Sequence, residues 1–148
     1  MSEARDTKSG FSDEERAAMQ QRAEEIRQTK GLKGAAKLAK ELEACVAAID
    51  GLDGIDKEVA VLLNRVVTEV APQLAPKTFY GFPAYAADGK VVVFYQPASR
   101  FDTRYGTVTF DETARLDDGD FWPTSFAVLA AGPEIEARLR ELVARAVA

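Results

Sequence analysis

The fold is decided by residues 79–95, which read FYGFPAYAADGKVVVFY. Aromatic and β-branched residues of this kind are enriched in strands. Within the stretch, Asp88-Gly89 separates two apolar segments, residues 82–85 and 91–95. An Asp-Gly pair closes two-residue hairpins with the twist that paired strands require. The stretch therefore predicts two antiparallel strands joined by a tight turn.

The predicted sheet continues on the C-terminal side of this hairpin. Residues 104–110 alternate between apolar and polar positions, and residues 125–129 form a last short apolar segment, so each predicts a further strand. Pro83 has no backbone N–H to donate to a strand ladder. The strand that contains it is therefore predicted to be an edge strand or a bulged one.

The N-terminal half has the periodicity of helices. Residues 12–15, SDEE, form a capping box that predicts a helix over residues 13–29. Further on, apolar residues recur at alternating spacings of four and three along one helix seam. A coiled-coil dimer would bury this seam, but packing on the chain's own core is favoured because two heptads are too short for a coiled coil. The seam residues are Leu38, Leu42, Cys45, Ile49 and Leu52.

Two more helices complete the pattern. One is predicted over residues 56–71, where Pro72 ends it. The other is a closing helix that opens at Gly132-Pro133, since proline is favoured in the first helical turn. Their predicted inward-facing residues are Val59, Leu62, Val66, Val70, Ile135, Leu139, Leu142 and Val143.

Helices followed by a meander of strands and a closing helix are typical of an α+β fold. We therefore predict a two-layer sandwich in which an antiparallel sheet carries helices on one face. The predicted organisation is a disordered tail over residues 1–10, an N-terminal helical extension over residues 11–33 and one α+β domain over residues 34–148.

Composition excludes several classes of function. The chain has no histidine and one cysteine, Cys45, which removes Ser-His-Asp and Cys-His triads and most zinc, haem and iron–sulfur sites. Cys45 lies on an apolar seam and is predicted to be a buried, inert thiol.

The net charge of −5 opposes binding to nucleic acid. The apolar runs fall short of the roughly 20 residues of a membrane span, and the N-terminal residues do not follow a signal-peptide pattern, so a cytoplasmic protein is predicted.

Four motifs, in this order along the chain, resemble one family. They are FYGFPAY from residue 79, DGKV from residue 88, LDDG from residue 116 and WPTS from residue 122. This set is similar to the YdhG-like proteins, a family of unknown function that is grouped with the frataxin-like fold. The resemblance covers the chain from about Val59 to the closing helix.

The resemblance implies a small α-β sandwich and, through the frataxin branch, an iron-delivery role in iron–sulfur cluster assembly. The frataxin pattern has a dense row of carboxylates on the first helix and first strand. This sequence departs from that pattern, because residues 56–71 hold only Asp56, Glu58 and Glu69.

Carboxylates are densest between residues 111 and 120. Hard cations such as Mg²⁺, Ca²⁺ and Fe²⁺ take oxygen ligands, so this stretch is a candidate site for weak binding of iron or another divalent cation. The alternative is a solvated loop in which Asp117 or Asp118 caps a turn and Gly119 supplies a positive φ. The candidate ligands are Asp111, Glu112, Asp117, Asp118 and Asp120.

Two aromatic clusters, residues 79–85 and 121–123, are candidates for a ligand cleft. Their rings either pack in the core or line a groove with their polar tips. Lys90 follows the hairpin glycine and is either an anion contact or an edge-strand lysine that opposes aggregation. The candidate ligand-binding residues are Tyr80, Pro83, Tyr85, Lys90, Trp122 and Pro123.

These observations favour a binding protein over an enzyme, because the sequence shows no pairing of a nucleophile with a base. The first hypothesis is a frataxin-like carrier of iron or another divalent cation. The second is a module that binds a small molecule or a protein partner in the aromatic cleft. Neither nucleic acid nor a membrane is an expected partner.

Overall fold

A computed structural model describes residues 10–148, so residues 1–9 of the predicted tail lie outside the described part of the chain. The helices are α1 (Asp13–Thr29), α2 (Gly34–Asp50), α3 (Gly54–Val70), α4 (Ala98–Phe101) and α5 (Pro133–Ala146). The strands are β1 (Ala75–Phe79), β2 (Phe82–Ala87), β3 (Lys90–Gln96), β4 (Gly106–Phe110) and β5 (Ser125–Val128).

The strands form one antiparallel sheet in the order β1-β2-β3-β4-β5. Helices pack on this sheet, so the predicted α+β fold is confirmed. Helix α1 begins at the predicted capping box. There the Glu15 amide donates to the Ser12 hydroxyl oxygen, and the Ser12 amide donates to the Glu15 carboxylate.

The sheet has one more strand than the sequence predicted, because residues 79–85 contain a turn. Tyr80 and Gly81 have φ values of +55° and +80°, and Phe79 pairs with Phe82 across them. A positive φ is rare for a bulky residue such as tyrosine. Tyr-Gly is not one of the pairs that usually form two-residue hairpin turns, so the sequence did not predict β1 as a separate strand before β2.

The second hairpin has the predicted tight turn, in which Asp88 and Gly89 both have positive φ, +50° and +81°. Pro83 lies in β2, which is the second strand of the sheet and not an edge strand. The pairing of β2 with β3 shifts register between Tyr85 and Ala86. The extra residue at this shift is Val92 of β3, since Tyr85 pairs with Val93 and Ala86 with Val91. The strand that contains Pro83 is therefore neither an edge strand nor the bulged strand, and the prediction for it is wrong.

The core lies between the sheet and the helices. Helices α3 and α5 pack against each other, and ion pairs between Arg65 and Glu136 and between Arg140 and Glu69 also join them. The alternation along each strand sends every second side chain into this layer. The sheet residues that contribute to the core include Tyr85, Val93, Tyr95, Val108 and Phe110.

The predicted burial of the α2 seam is wrong for its first half. Cys45 and Ile49 are buried, but Leu38 and Leu42 are 51% and 47% exposed. Helix α2 packs on the edge strand β1 and on β2, and only the C-terminal half of the seam reaches that surface. Within residues 10–148, no further element covers the first two turns of this seam.

A buried carboxylate near the start of α3 joins three elements. Asp56 is 5% exposed, and its Oδ1 accepts hydrogen bonds from the Tyr95 hydroxyl at 2.7 Å and from the Ala98 amide at 2.8 Å. Its Oδ2 accepts from the Ser99 amide at 3.0 Å. Asp56 thereby caps the first turn of α4 from another helix, because these amides have no partner within α4 itself.

The backbone of β4 at Gly106 passes close to the Tyr95 hydroxyl that binds Asp56. A Cβ atom at Gly106 would lie 2.2 Å from the Tyr95 hydroxyl oxygen, which is far inside van der Waals contact. Glycine is therefore required where β4 passes the tyrosine that binds Asp56.

Replacing Asp56 should destabilise the protein strongly. The Asp56→Ala change leaves one hydroxyl and two amides without their acceptor, so we expect the free energy of unfolding to fall by about 3 kcal/mol. The measurement is urea denaturation followed by circular dichroism. Asp53→Ala is the matched control, since the Asp53 side chain is exposed and makes no capping hydrogen bond, and it should change stability by less than about 0.5 kcal/mol.

The contribution of Asp56 should also depend on pH. Burial acts to raise the pKa of Asp56, but the hydrogen bonds from Tyr95, Ala98 and Ser99 outweigh it and hold the pKa below its usual value. A lowered folded-state pKa adds stability above the unfolded pKa of about 3.9, and this stability is lost as the pH falls through the folded-state value. The stability gap between wild type and Asp56→Asn should therefore narrow below about pH 4. A gap that widens on acidification would contradict this account.

Candidate functional site

A cavity of about 520 Å³ lies beside the end of β4, under the loop that leads to β5. Four carboxylates line it together with the aromatic side chains of Phe110, Phe121 and Trp122. We call it the acidic–aromatic pocket. Its lining residues are Phe110, Asp111, Glu112, Ala114, Leu116, Asp117, Asp120, Phe121, Trp122 and Thr124.

The pocket brings together two sites that the sequence predicted separately. Asp111, Glu112, Asp117 and Asp120 were predicted as metal ligands, whereas Trp122 was predicted to line a ligand cleft, and all five contribute to the same lining. Asp118 is exposed and lies outside this lining.

The loop that carries the carboxylates is anchored at its start. The Asp111 amide donates to the Val92 carbonyl at 2.9 Å, and the Thr113 hydroxyl donates to the Val91 carbonyl at 2.9 Å. These two bonds tie the start of the loop to β3.

The middle of the same loop is held by α5. The Arg115 amide donates to the Ala146 carbonyl at 2.9 Å, and Leu116 inserts into the core beside it. Beyond this point Gly119 has the predicted positive φ, +65°. The residues that follow Leu116 therefore project from a fixed base.

The two aromatic rings at the mouth of the pocket differ in burial. Trp122 is partly buried and packs against the core, so its ring forms a fixed wall. Phe121 is 93% exposed. Its ring therefore contributes little burial to the fold and lies open to solvent beside the carboxylates of the pocket.

The carboxylates of the pocket do not converge on one point. Among residues 10–148, no three His, Cys, Asp or Glu side chains come together as a group that could hold a metal ion. The pocket lining includes no lysine or arginine. The arrangement therefore combines an excess of negative charge with aromatic surface over a volume much larger than one ion.

The other predicted ligand-binding residues lie elsewhere. Pro83 and Tyr85 are buried in β2, which leaves them no surface for a ligand. Lys90 is exposed beside the Asp88-Gly89 turn, and Pro123 is exposed before β5. Tyr80 is half-buried at the tip of the first hairpin, where its backbone carbonyl accepts a hydrogen bond from Arg100 at 2.8 Å.

Two groups with unusual pKa values lie in the core and not in the pocket. The Tyr85 hydroxyl donates to Asn64 Oδ1 at 2.9 Å, and burial raises the pKa of Tyr85 far above its usual value. Burial likewise raises the pKa of the Cys45 thiol, which is 1% exposed. Cys45 is buried as predicted. The side chains of Cys45 and Tyr85 are both packed in the core of the protein.

The structure predicts that Cys45 is unreactive while the protein is folded. The reactive species is the thiolate, and a raised pKa and burial both oppose its formation and attack. Folded protein at pH 8 should react with a disulfide exchange reagent at least about 100-fold more slowly than protein in urea. Equal rates in the two conditions would show that the thiol is accessible.

Sequence reasoning missed a second surface, which we call the α1–α2 groove. It is a cavity of about 360 Å³ between α1, α2 and β1. In the sequence its charges look like the interspersed charges of solvated helices, and only the packing of α1 beside α2 brings them together. Its basic side chains are Arg22, Lys30, Lys37, Lys40 and Lys77.

Comparisons with protein families, with curated proteins and with solved structures find no match to this chain. The similarity to the YdhG-like proteins therefore stays a prediction. Among residues 10–148, no helix is both long and apolar enough to cross a membrane.

Proposed function

We propose that this protein is a binding module that takes an organic cation in the acidic–aromatic pocket. The observation that carries the proposal is the lining itself, in which four carboxylate residues meet the accessible aromatic residues Phe121 and Trp122 with no basic residue among them. This proposal develops the hypothesis of a ligand cleft and places it at Trp122 instead of at the β2 aromatics.

Aromatic rings and carboxylates recognise the same ligands. A cation over a ring face is attracted by the ring quadrupole, and the interaction is strongest for tryptophan. Carboxylates at the rim add attraction at longer range, and they raise the local concentration of cations. Quaternary ammonium groups, methylated lysines and polyamines carry positive charge on an apolar body, which suits both features.

The size and shape of the pocket favour an organic cation over a single metal ion. Carboxylate ligands bind Ca²⁺ or Mg²⁺ at about 2.0–2.6 Å, so they must converge on one point. The four carboxylate residues of the pocket instead line a cavity of about 520 Å³. This volume lies within the range typical of small-molecule sites. A hydrated Fe²⁺ or Mg²⁺ ion, as in the iron-carrier hypothesis, is the competing occupant.

The proposal predicts saturable binding of organic cations that the tryptophan reports. Trp122 is the single tryptophan of the chain, so its fluorescence monitors the pocket directly. Titration with choline and with spermidine should change this fluorescence, with a dissociation constant on the order of 1 mM or tighter. Amide signals of residues 111–122 should shift in parallel in NMR spectra.

Two variants localise the effect. Phe121→Ser removes an exposed ring and should weaken binding about threefold, whereas Asp117→Asn combined with Asp120→Asn should weaken it about tenfold.

Leu129→Ser is the control for loss of an exposed apolar side chain, because Leu129 is likewise exposed. The control for the charges is Asp50→Asn combined with Asp102→Asn, two exposed aspartates outside the pocket. Neither control should alter binding.

The outcomes separate the candidate occupants. Shifts of the same amides with Fe²⁺ or Mg²⁺, and none with choline or spermidine, would replace the organic cation by a metal ion. If neither the Trp122 fluorescence nor the amide signals of residues 111–122 change with any cation at 10 mM, the proposal for this pocket is contradicted.

A further inference from the structure

The α1–α2 groove has the opposite charge to the protein as a whole. Its lining has five basic side chains and two acidic ones, Glu25 and Glu41, in a chain whose net charge is −5. Positive charge that is concentrated in a concave site attracts anions from solution even when the whole molecule is acidic.

Both acidic side chains of the groove are engaged by the protein. The Glu41 carboxylate lies 3.3 Å from the Lys77 ammonium, and their side chains are only 13% and 14% exposed. The Glu25 carboxylate accepts a hydrogen bond from the Gly81 amide at 3.3 Å. Within residues 10–148 neither Lys30 nor Lys37 has an ion-pair partner, so these two lysines remain available to an anion.

The C-terminal end of α1 repels an anion bound in the groove, but only weakly. Its last residues lie at the groove, and the end of a helix is equivalent to about half a negative charge. The excess of three positive charges in the lining is much larger. The groove therefore keeps a net positive character.

The floor of the groove supplies a hydrogen-bond donor. Thr78 in β1 is 8% exposed and lines the groove. No described residue forms a hydrogen bond with its hydroxyl, yet no side-chain oxygen of the described residues is both fully buried and unpartnered. The hydroxyl therefore keeps some exposure in the cavities that Thr78 lines, one of which is the groove, and there it can donate to an oxygen of a bound anion.

We propose that the α1–α2 groove binds a small molecule that carries two or more phosphate or carboxylate groups. Lysine ammonium groups bind such oxygens as mobile point charges, and Lys30 and Lys37 approach from two different elements of the fold. The volume of about 360 Å³ fits a small metabolite and not a folded partner. This second site is independent of the acidic–aromatic pocket.

The test uses the full chain with pyrophosphate and with citrate as probes, and with acetate as the monoanionic control, at low salt. Isothermal titration should show saturable binding of pyrophosphate or citrate, and amides of Gly31 and Thr78 should shift in NMR spectra. Because pyrophosphate supplies phosphate and citrate supplies carboxylate, the stronger of the two identifies the ligand chemistry. Acetate should bind at least about tenfold more weakly, since it can satisfy only one lysine.

A charge-matched pair of variants decides whether the groove is the site. Lys30→Gln combined with Lys37→Gln should weaken binding about tenfold, and both lysines are exposed, so folding is retained. Arg104→Gln combined with Arg138→Gln removes the same charge at exposed positions outside the groove and should leave the affinity unchanged.

Three results would overturn the proposal. An equal loss of affinity in both double variants would show general attraction by net charge. If the amide signals of Gly31 and Thr78 do not shift at 10 mM pyrophosphate or citrate, the groove binds neither anion. Binding of a single-stranded oligonucleotide alone, or salt-dependent self-association that Lys30→Gln combined with Lys37→Gln abolishes, would assign the groove to a macromolecule.

Discussion

The buried carboxylate of Asp56 is the constraint on which the rest of the structure depends. Its three hydrogen bonds fix α3 to the Tyr95 hydroxyl of β3 and to the first turn of α4. Helix α4 in turn carries Arg100, which binds the Tyr80 carbonyl at the tip of the first hairpin. The adjacent Gly81 amide binds Glu25 of α1. One buried charge is thus connected, bond by bond, to the helix that forms a wall of the α1–α2 groove.

The two candidate sites lie beside different strands of the sheet that this network supports. The acidic–aromatic pocket lies where β4 leads to the edge strand β5, whereas the groove is built on the edge strand β1. Three strand spacings separate β1 from β4, which is about 14 Å. This distance exceeds the screening length of about 8 Å at physiological ionic strength. We therefore expect the two proposed sites to bind their ligands independently of each other.

The sequence predicted those features that depend on local patterns. The capping box at Ser12, the turn at Asp88-Gly89 and the buried Cys45 each follow from a few neighbouring residues. The first hairpin was missed because Tyr80 takes a backbone conformation that tyrosine rarely adopts, and it does so where Arg100 and Glu25 hold the turn from outside. Both candidate sites depend on long-range packing, since spacing along the chain does not show that Trp122 shares a cavity with Asp111 or that Lys77 shares one with Lys30.

The central claim is that one chain has two independent sites of opposite charge, and one NMR sample tests it most directly. Choline and pyrophosphate are added together to the full chain at low salt, and amide shifts are mapped. The account predicts two separate sets of shifted amides, one around residues 111–122 and one around Gly31 and Thr78, each with the size seen when its ligand is added alone. A single overlapping set, or the loss of one set when the second ligand is added, would contradict it.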